Sequence, residues 1–203
     1  MEVIKIKERL NYRIVLYKSQ NFYQLRKFFV GPWGMKDIRF IQLPDGKFAV
    51  FSRPQGENGG KGKIGFLIVN SLEKLNKRNL YDVPLLNQFF DTEWGGANDI
   101  HLLRNGKIGV LGHIAKRNLD SSLSYYPMAF SIDTKTADHS KIKILLKRAN
   151  LPAGTSKNEM LKDVIFPGGL IRNKDGTAKL YLGVGDAEAY KIVIEDPFLE
   201  YEK

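Results

Sequence analysis

The sequence predicts an all-β protein built as a β-propeller, and three observations carry that prediction. Its aromatic residues, 12 Phe and 9 Tyr among 203 residues, favour strands over helices. Apolar and polar residues alternate in one short run after another, the period-two signature of half-buried strands. Three segments also repeat one pattern: a polar cluster, an apolar strand, a tight turn on glycine, and a second strand ending in polar groups. They are KDIRFIQLPDGKFAVFSRP, ANDIHLLRNGKIGVLGHIA and FPGGLIRNKDGTAKLYLGVGDAEA, with turn glycines at Gly46, Gly106 and Gly176.

In chain order, MEVIKIKERL alternates as a strand and lacks the apolar core of a signal peptide. The first hairpin follows, its Asp45-Gly46 turn using residues that tolerate positive φ. KIGFLIVN (63–70) reads as a strand, and SLEKLNKR (71–78) as one short helix with Asn70 as its N-cap and Glu73 reaching back. The second hairpin is followed by strand-like YYPMAFSID (125–133) and KIKILLKR (141–148), and then by the third hairpin. A repeat of about 60 residues, each with some four strands, describes propeller blades. The chain holds three such units and part of a fourth, whereas closure takes at least four. A β-sandwich with coincidental hairpins is the competing reading.

Composition bounds the function. No apolar run reaches the roughly 18 residues of a membrane span, and the expected location is the cytoplasm. With no cysteine, disulfides and thiol chemistry are excluded. The net charge of +10 suits an anionic partner, but the basic residues are scattered rather than gathered on one stripe, which argues against nucleic acid. No HExxH, no EF-hand loop and no GxSxG elbow is present, so no metal and no serine nucleophile is implied. PQGENGGKGKIG lacks the Ser/Thr of a phosphate loop and precedes a strand; it reads as a mobile polar loop offering Lys61 and Lys63 to an anion.

In a propeller the first strand of each repeat lines the channel, where Asp37, Arg39, Asn98, Asp99, His101 and Asp163 would gather. Arg53, His113 and Asp186 end the second strands. Asp37 and Arg39, two apart, would share a strand face, either as a surface ion pair or as site chemistry. His113 suits an anion or a sugar hydroxyl, or a structural hydrogen bond; His139 lies in a polar turn and reads as surface. Trp94 suits stacking on a sugar face or core packing. Asn98 and Asp99 can bind hydroxyls, and Asn98 can equally cap a turn. Asp163 with Gly168 and Gly169 offers carboxylate and backbone contacts, or the glycines mark a bulge.

The strings GMKDIR, FSRPQG, EWGGANDIH, GVLGHIA, DVIFPGGL and LYLGVGDAEA together resemble a bacterial and protozoan family catalogued as a domain of unknown function (DUF1861). Its characterised protozoan members are β-1,2-mannosyltransferases and phosphorylases, distantly similar to the family-130 β-mannoside phosphorylases. The resemblance runs from about Tyr12 to Phe198. It implies a five-bladed propeller of which this chain would be a single partial domain, 1–203, lacking about a hundred N-terminal residues of the family pattern. It also implies inverting phosphorolysis or synthesis of β-1,2-linked mannosides through mannose-1-phosphate. Asp37 would be the general acid by its place in KDIR, and Asp186 the second choice. Arg39, Arg53, His113, Lys61 and Lys63 would be the phosphate ligands, and Trp94, Asn98, Asp99 and Asp163 the sugar ligands. No cofactor is expected, only phosphate or a sugar phosphate as co-substrate, and a second chain or copy could complete the ring. A catalytically inactive carbohydrate-binding remnant and a basic nucleic-acid-binding β-protein are the alternatives.

Overall fold

The structure is a computed structural model and describes residues 1–6, 8–21 and 23–203. The chain forms two compact units, Met1–Leu86 and Asn87–Lys203.

The first unit consists of hairpins and a short meander. Strands β1 (Glu2–Ile6) and β2 (Arg9–Arg13) pair antiparallel, as do β3 (Val15–Lys18) and β4 (Arg26–Val30). Strands β5 (Arg39–Gln42), β6 (Phe48–Ser52) and β7 (Gly65–Val69) form a three-stranded antiparallel sheet. Its core gathers Met35, Ile38, Val50, Leu75 and Leu80.

The single helix expected over 71–78 is two pieces. A 3₁₀ turn at Leu72–Lys74 is capped by Ser71, not Asn70, whose hydroxyl accepts the Glu73 N–H at 3.2 Å. Leu75 then extends and buries its side chain. Helix α1 (Lys77–Tyr81) restarts on a reciprocal Asn76–Asn79 cap, with bonds of 3.0 and 2.9 Å. The break falls at Leu75, whose φ of −68° and ψ of 130° leave the helical region.

The second unit is a seven-stranded sheet. Strands β8 (Glu93–Leu102), β9 (Ile108–Arg117) and β10 (Leu123–Ile132) form an antiparallel meander to which the short β11 (Lys143–Ile144) adds. Only two residues of the strand expected over 141–148 join this ladder. Strands β12 (Asp163–Arg172), β13 (Thr177–Val184) and β14 (Glu188–Glu195) form a second meander. It is joined to β10 by a parallel contact of Ser124 and Tyr125 with Asp163 and Val164. Residues along β13 and β14 alternate strictly between core and solvent, as the sequence period requires. Phe198 is fully buried over Gly109, where a β-carbon would lie 2.7 Å from its ring.

The three glycine hairpins, β5–β6, β8–β9 and β12–β13, are built alike. Gly46, Gly106 and Gly176 have φ of 84, 82 and 85°. The first residue of each turn donates its N–H to the fifth: Leu43 to Lys47 at 2.8 Å, Leu103 to Lys107 at 2.9 Å, and Asn173 to Thr177 at 2.8 Å. Asp45, Asn105 and Asp175 are not the positive-φ residues. Their side chains instead accept the N–H two residues on, at 3.1, 3.2 and 3.0 Å, which makes a three-residue loop closed by a left-handed glycine. Register is also shared: Arg39 faces Phe51, Asp99 faces Leu111, and Gly169 faces Tyr181. Each first member is the seventh residue before its turn glycine.

Just before that pair, every first strand is interrupted. In β8 the register shifts between Ala97 and Asp99, leaving Asn98 as the extra residue, and in β12 it shifts between Pro167 and Gly169, leaving Gly168. In the first hairpin, β5 begins only at Arg39, and Asp37 takes a left-handed φ of 54°. Asp37 is therefore not on a strand, and the shared strand face expected for Asp37 and Arg39 does not exist.

Candidate functional site

Asp37 and Arg53 meet at the open end of the first hairpin. Arg53 follows β6 directly, and Asp37 lies two residues before the start of β5, so antiparallel pairing brings them together. Arg53 Nη1 donates to Asp37 Oδ2 at 3.1 Å, with side-chain exposures of 9% and 11%. Asp37 shares its positive φ with Ser121, Ala137 and Asp186 among the described non-glycine residues, but those three are exposed while Asp37 is buried. A buried left-handed aspartate costs on the order of 1–3 kcal/mol of backbone strain, which is typical of functional positions. Arg39 Nη1 donates to the Ile38 carbonyl at 3.0 Å.

The loop expected to be mobile is braced. Gly56 and Gly60 exchange backbone hydrogen bonds of 2.9 and 2.7 Å, and Lys63 N–H reaches the Pro54 carbonyl at 3.2 Å. The Lys61 carbonyl accepts both Gln55 Nε2 at 3.0 Å and Arg53 Nη2 at 3.4 Å, while the Lys61 side chain is exposed. Tyr12 holds Gln55 through a 3.1 Å hydroxyl bond, and Lys36 sits over the Tyr12 ring at 4.4 Å.

In the second unit the corresponding place is taken by Asn98 and His113. His113, like Arg53, is the seventh residue after its turn glycine. Its Nδ1 lies 2.8 Å from Asn98 Oδ1, and with the amide oxygen as acceptor Nδ1 carries the proton. The His113 ring stacks on Tyr125 (5.8 Å, 15°) and leans on Phe166 (4.8 Å, 41°). Trp94, buried, meets Tyr125 edge-on and donates its indole N–H to the Tyr125 hydroxyl at 3.0 Å. Tyr125 and Phe166 escaped the sequence reading because nothing local marks an aromatic that wraps a histidine from another strand.

Asp99 braces backbone. Its Oδ2 accepts the Leu170 N–H at 3.0 Å, beside the Gly168 bulge, and its Oδ1 accepts the Ile100 N–H at 3.0 Å. His101 Nε2 approaches the same Oδ2 at 3.3 Å without hydrogen-bond alignment. Burial pushes the Asp99 carboxyl up, but His101 and the two backbone donors outweigh it and hold the group below the ordinary aspartate range. Asp163, at the start of β12, accepts the Tyr126 hydroxyl; burial first, and then this carboxylate, raises the Tyr126 phenol. Asp186 lies exposed in the β13–β14 turn with a φ of 53°. His139 is exposed, with Nδ1 3.3 Å from Gln88 Nε2.

Among the described residues, no group of three or more His, Asp or Glu is placed to hold a metal ion, and no helix is long and apolar enough to cross a membrane.

The fold is all-β and is similar to that of a thermostable family-43 glycoside hydrolase, one of the propeller enzymes (TM-score 0.60, 11% identity, 96% of this chain and 68% of that one). The chain belongs to the family described as "Protein of unknown function (DUF1861)", whose model matches residues 2–200. It is similar to MPT-4, a mannose phosphorylase from Leishmania mexicana solved in complex with a phosphate ion, at 32% identity and a TM-score of 0.89. It is also similar to MPT-1, a GDP-Man-dependent mannosyltransferase from the same organism, at 28% identity and a TM-score of 0.78. Each match covers 99% of this chain, which spans 64% of the phosphorylase and 68% of the transferase. No curated protein matches the sequence significantly.

Proposed function

We propose that this chain carries the acid and anion-binding part of a β-mannoside phosphorylase or mannosyltransferase. The observation that carries the reading is the buried Asp37–Arg53 pair, in a chain that superposes over 99% of its length on a mannose phosphorylase holding phosphate. Phosphorolysis with inversion needs one proton donor and one bound anion. In the proposed step, Asp37 gives its proton to the glycosidic oxygen. The bond from that oxygen to the sugar's anomeric carbon breaks, and a phosphate oxygen bonds to that carbon from the opposite face. The products are a mannose-1-phosphate of inverted configuration and the freed acceptor sugar. Run backwards, the same step makes the mannoside.

Arg53 is assigned to the anion, with Arg39, Lys61, Lys63 and His113 as further phosphate ligands. Phosphate sharing Nη1 with Asp37 would compete with the carboxylate for the guanidinium. Trp94, Asn98, Asp99 and Asp163 are assigned to the sugar, and Asp186 is the second-choice acid. The reading includes a five-bladed ring, of which these residues form part, acting on soluble sugars in the cytoplasm without a cofactor.

The deciding experiment incubates the protein with β-1,2-mannobiose and inorganic phosphate and measures mannose-1-phosphate. Phosphate-dependent formation, lost in Asp37→Asn, is expected. Binding of the disaccharide without turnover would favour the non-catalytic carbohydrate-binding reading.

A further inference from the structure

We infer that Gly62 is a positioning residue for Arg53, and that the glycine-rich loop from Pro54 to Lys63 is a rigid collar that decides which corner of the guanidinium meets Asp37. The inference rests on the proposed role of Arg53 as anion ligand.

Three contacts around the guanidinium carry it. Nη1 is held by Asp37 at 3.1 Å, and Nη2 by the Lys61 carbonyl at 3.4 Å. The remaining edge lies flat against Gly62, where a β-carbon would stand 2.5 Å from Nε, 2.9 Å from Nη2 and 3.0 Å from Cζ. Nε is buried and has no hydrogen-bond partner among the described residues, so that edge meets glycine backbone, not an acceptor. Gly62 itself sits at φ +132°, where side chains are strained.

The collar cannot easily yield. Gly59 packs on the chain so closely that a β-carbon there would fall 1.9 Å from the Pro54 carbonyl oxygen. The Gly56–Gly60 exchange closes the loop, and the Tyr12–Gln55–Lys61 chain of bonds ties it to β2. Arg53 is equally fixed, being 7% exposed and anchored at both terminal nitrogens. A methyl group at residue 62 must therefore displace the guanidinium, and the nitrogen that moves is joined rigidly to the one facing Asp37. Planarity makes this a lever: rotating the Nε edge outward swings Nη1 off the carboxylate.

The test compares Gly62→Ala with Gly46→Ala, a control that adds the same methyl at positive φ with nothing within 4 Å of it. Two readouts are taken: titration with inorganic phosphate, and the ¹⁵Nε–¹H NMR signal of Arg53. Gly62→Ala should weaken phosphate binding by about tenfold or more, equivalent to about 1.4 kcal/mol, and should shift the Arg53 signal. Gly46→Ala should leave both within about twofold of wild type or unshifted. In turnover, the KM for phosphate should rise while that for the mannoside changes little. An unshifted Arg53 signal with unchanged phosphate affinity in Gly62→Ala overturns the inference, as do equal effects from both variants. Should the wild type bind no phosphate, the proposed function falls, and the NMR shift alone then decides the role of Gly62. Should Gly62→Ala not fold, Gln55→Ala decides: it removes the tether to the Lys61 carbonyl without adding bulk, and a wild-type Arg53 signal there overturns the collar.

Discussion

Arg53 and Asp37 close the open end of the β5–β6 hairpin with a buried 3.1 Å ion pair. Asn98 and His113 make the corresponding contact, at 2.8 Å, in the β8–β9 hairpin. In each, the seventh residue after the turn glycine grips a residue just before the ladder begins, nine residues before the glycine for Asp37 and eight for the bulged Asn98. The third hairpin keeps the geometry but has Gly183 and Gly168 at these places, so no side-chain pair forms there. A shared register from the turn to Arg39, Asp99 and Gly169, with different side chains beyond it, is what a repeat looks like when backbone is kept and chemistry varied.

Asp37→Asn isolates the charge of Asp37 from its backbone. Asparagine accepts the left-handed φ of 54° as readily as aspartate, so the fold should persist. Turnover of a β-mannoside should fall by about 10²- to 10⁴-fold, the usual share of a general acid. An asparagine variant that turns over at the wild-type rate would remove Asp37 from the mechanism.

Asp99→Ala should destabilise the second unit, because the Leu170 and Ile100 N–H groups lose their acceptor. The cost should be about 1–3 kcal/mol, read as a lower urea midpoint. Asp99→Asn, which keeps one acceptor oxygen, should lose less.

Substitutions at the turn glycines should rank by tolerance of positive φ rather than by size. At Gly106, with φ 82° and open space around it, alanine should cost about 1 kcal/mol and asparagine distinctly less, by thermal unfolding. Gly109→Ala should cost more than either, because its methyl would strike Phe198 at 2.7 Å in the core.

Acid should weaken the C-terminal segment. Arg172 donates Nε to Asp196 at 2.6 Å and Nη1 to Glu202 at 2.9 Å. The Arg172 hydrogen bond, against a smaller opposing effect of burial, holds the Glu202 carboxyl below its ordinary value of 4.5. A carboxyl lowered in the folded state stabilises fully above its ordinary value, and that contribution is lost as pH falls through the lower folded value. Between about pH 5 and 3 the unfolding midpoint of Glu202→Gln should therefore fall less steeply than that of wild type. Parallel slopes would show that Glu202 contributes nothing to the acid transition.

Much of the fold was legible because its signals are local. Alternation marked β10 and β13, and the Asp-Gly and Asn-Gly pairs marked all three hairpins, although their acidic and amide side chains serve as turn caps and the glycine alone takes the positive φ. The 71–78 segment misled because helix propensity is a local average, whereas a second cap at Asn76 restarts the helix after an extended Leu75. The charge of Lys61 could be read from the sequence, but not that its backbone carbonyl accepts Arg53 Nη2.

By itself, the sequence determined the three hairpins with their turn glycines and the family, since each depends on residues near one another in the chain or on matched strings. Tertiary structure alone decided what Asp37 pairs with. Strand alternation pointed to Arg39, two residues away, but the left-handed turn at Asp37 breaks that alternation. The hairpin then carries Arg53 back across it, and Gly62, which bears no chemistry of its own, leaves the space that the guanidinium occupies.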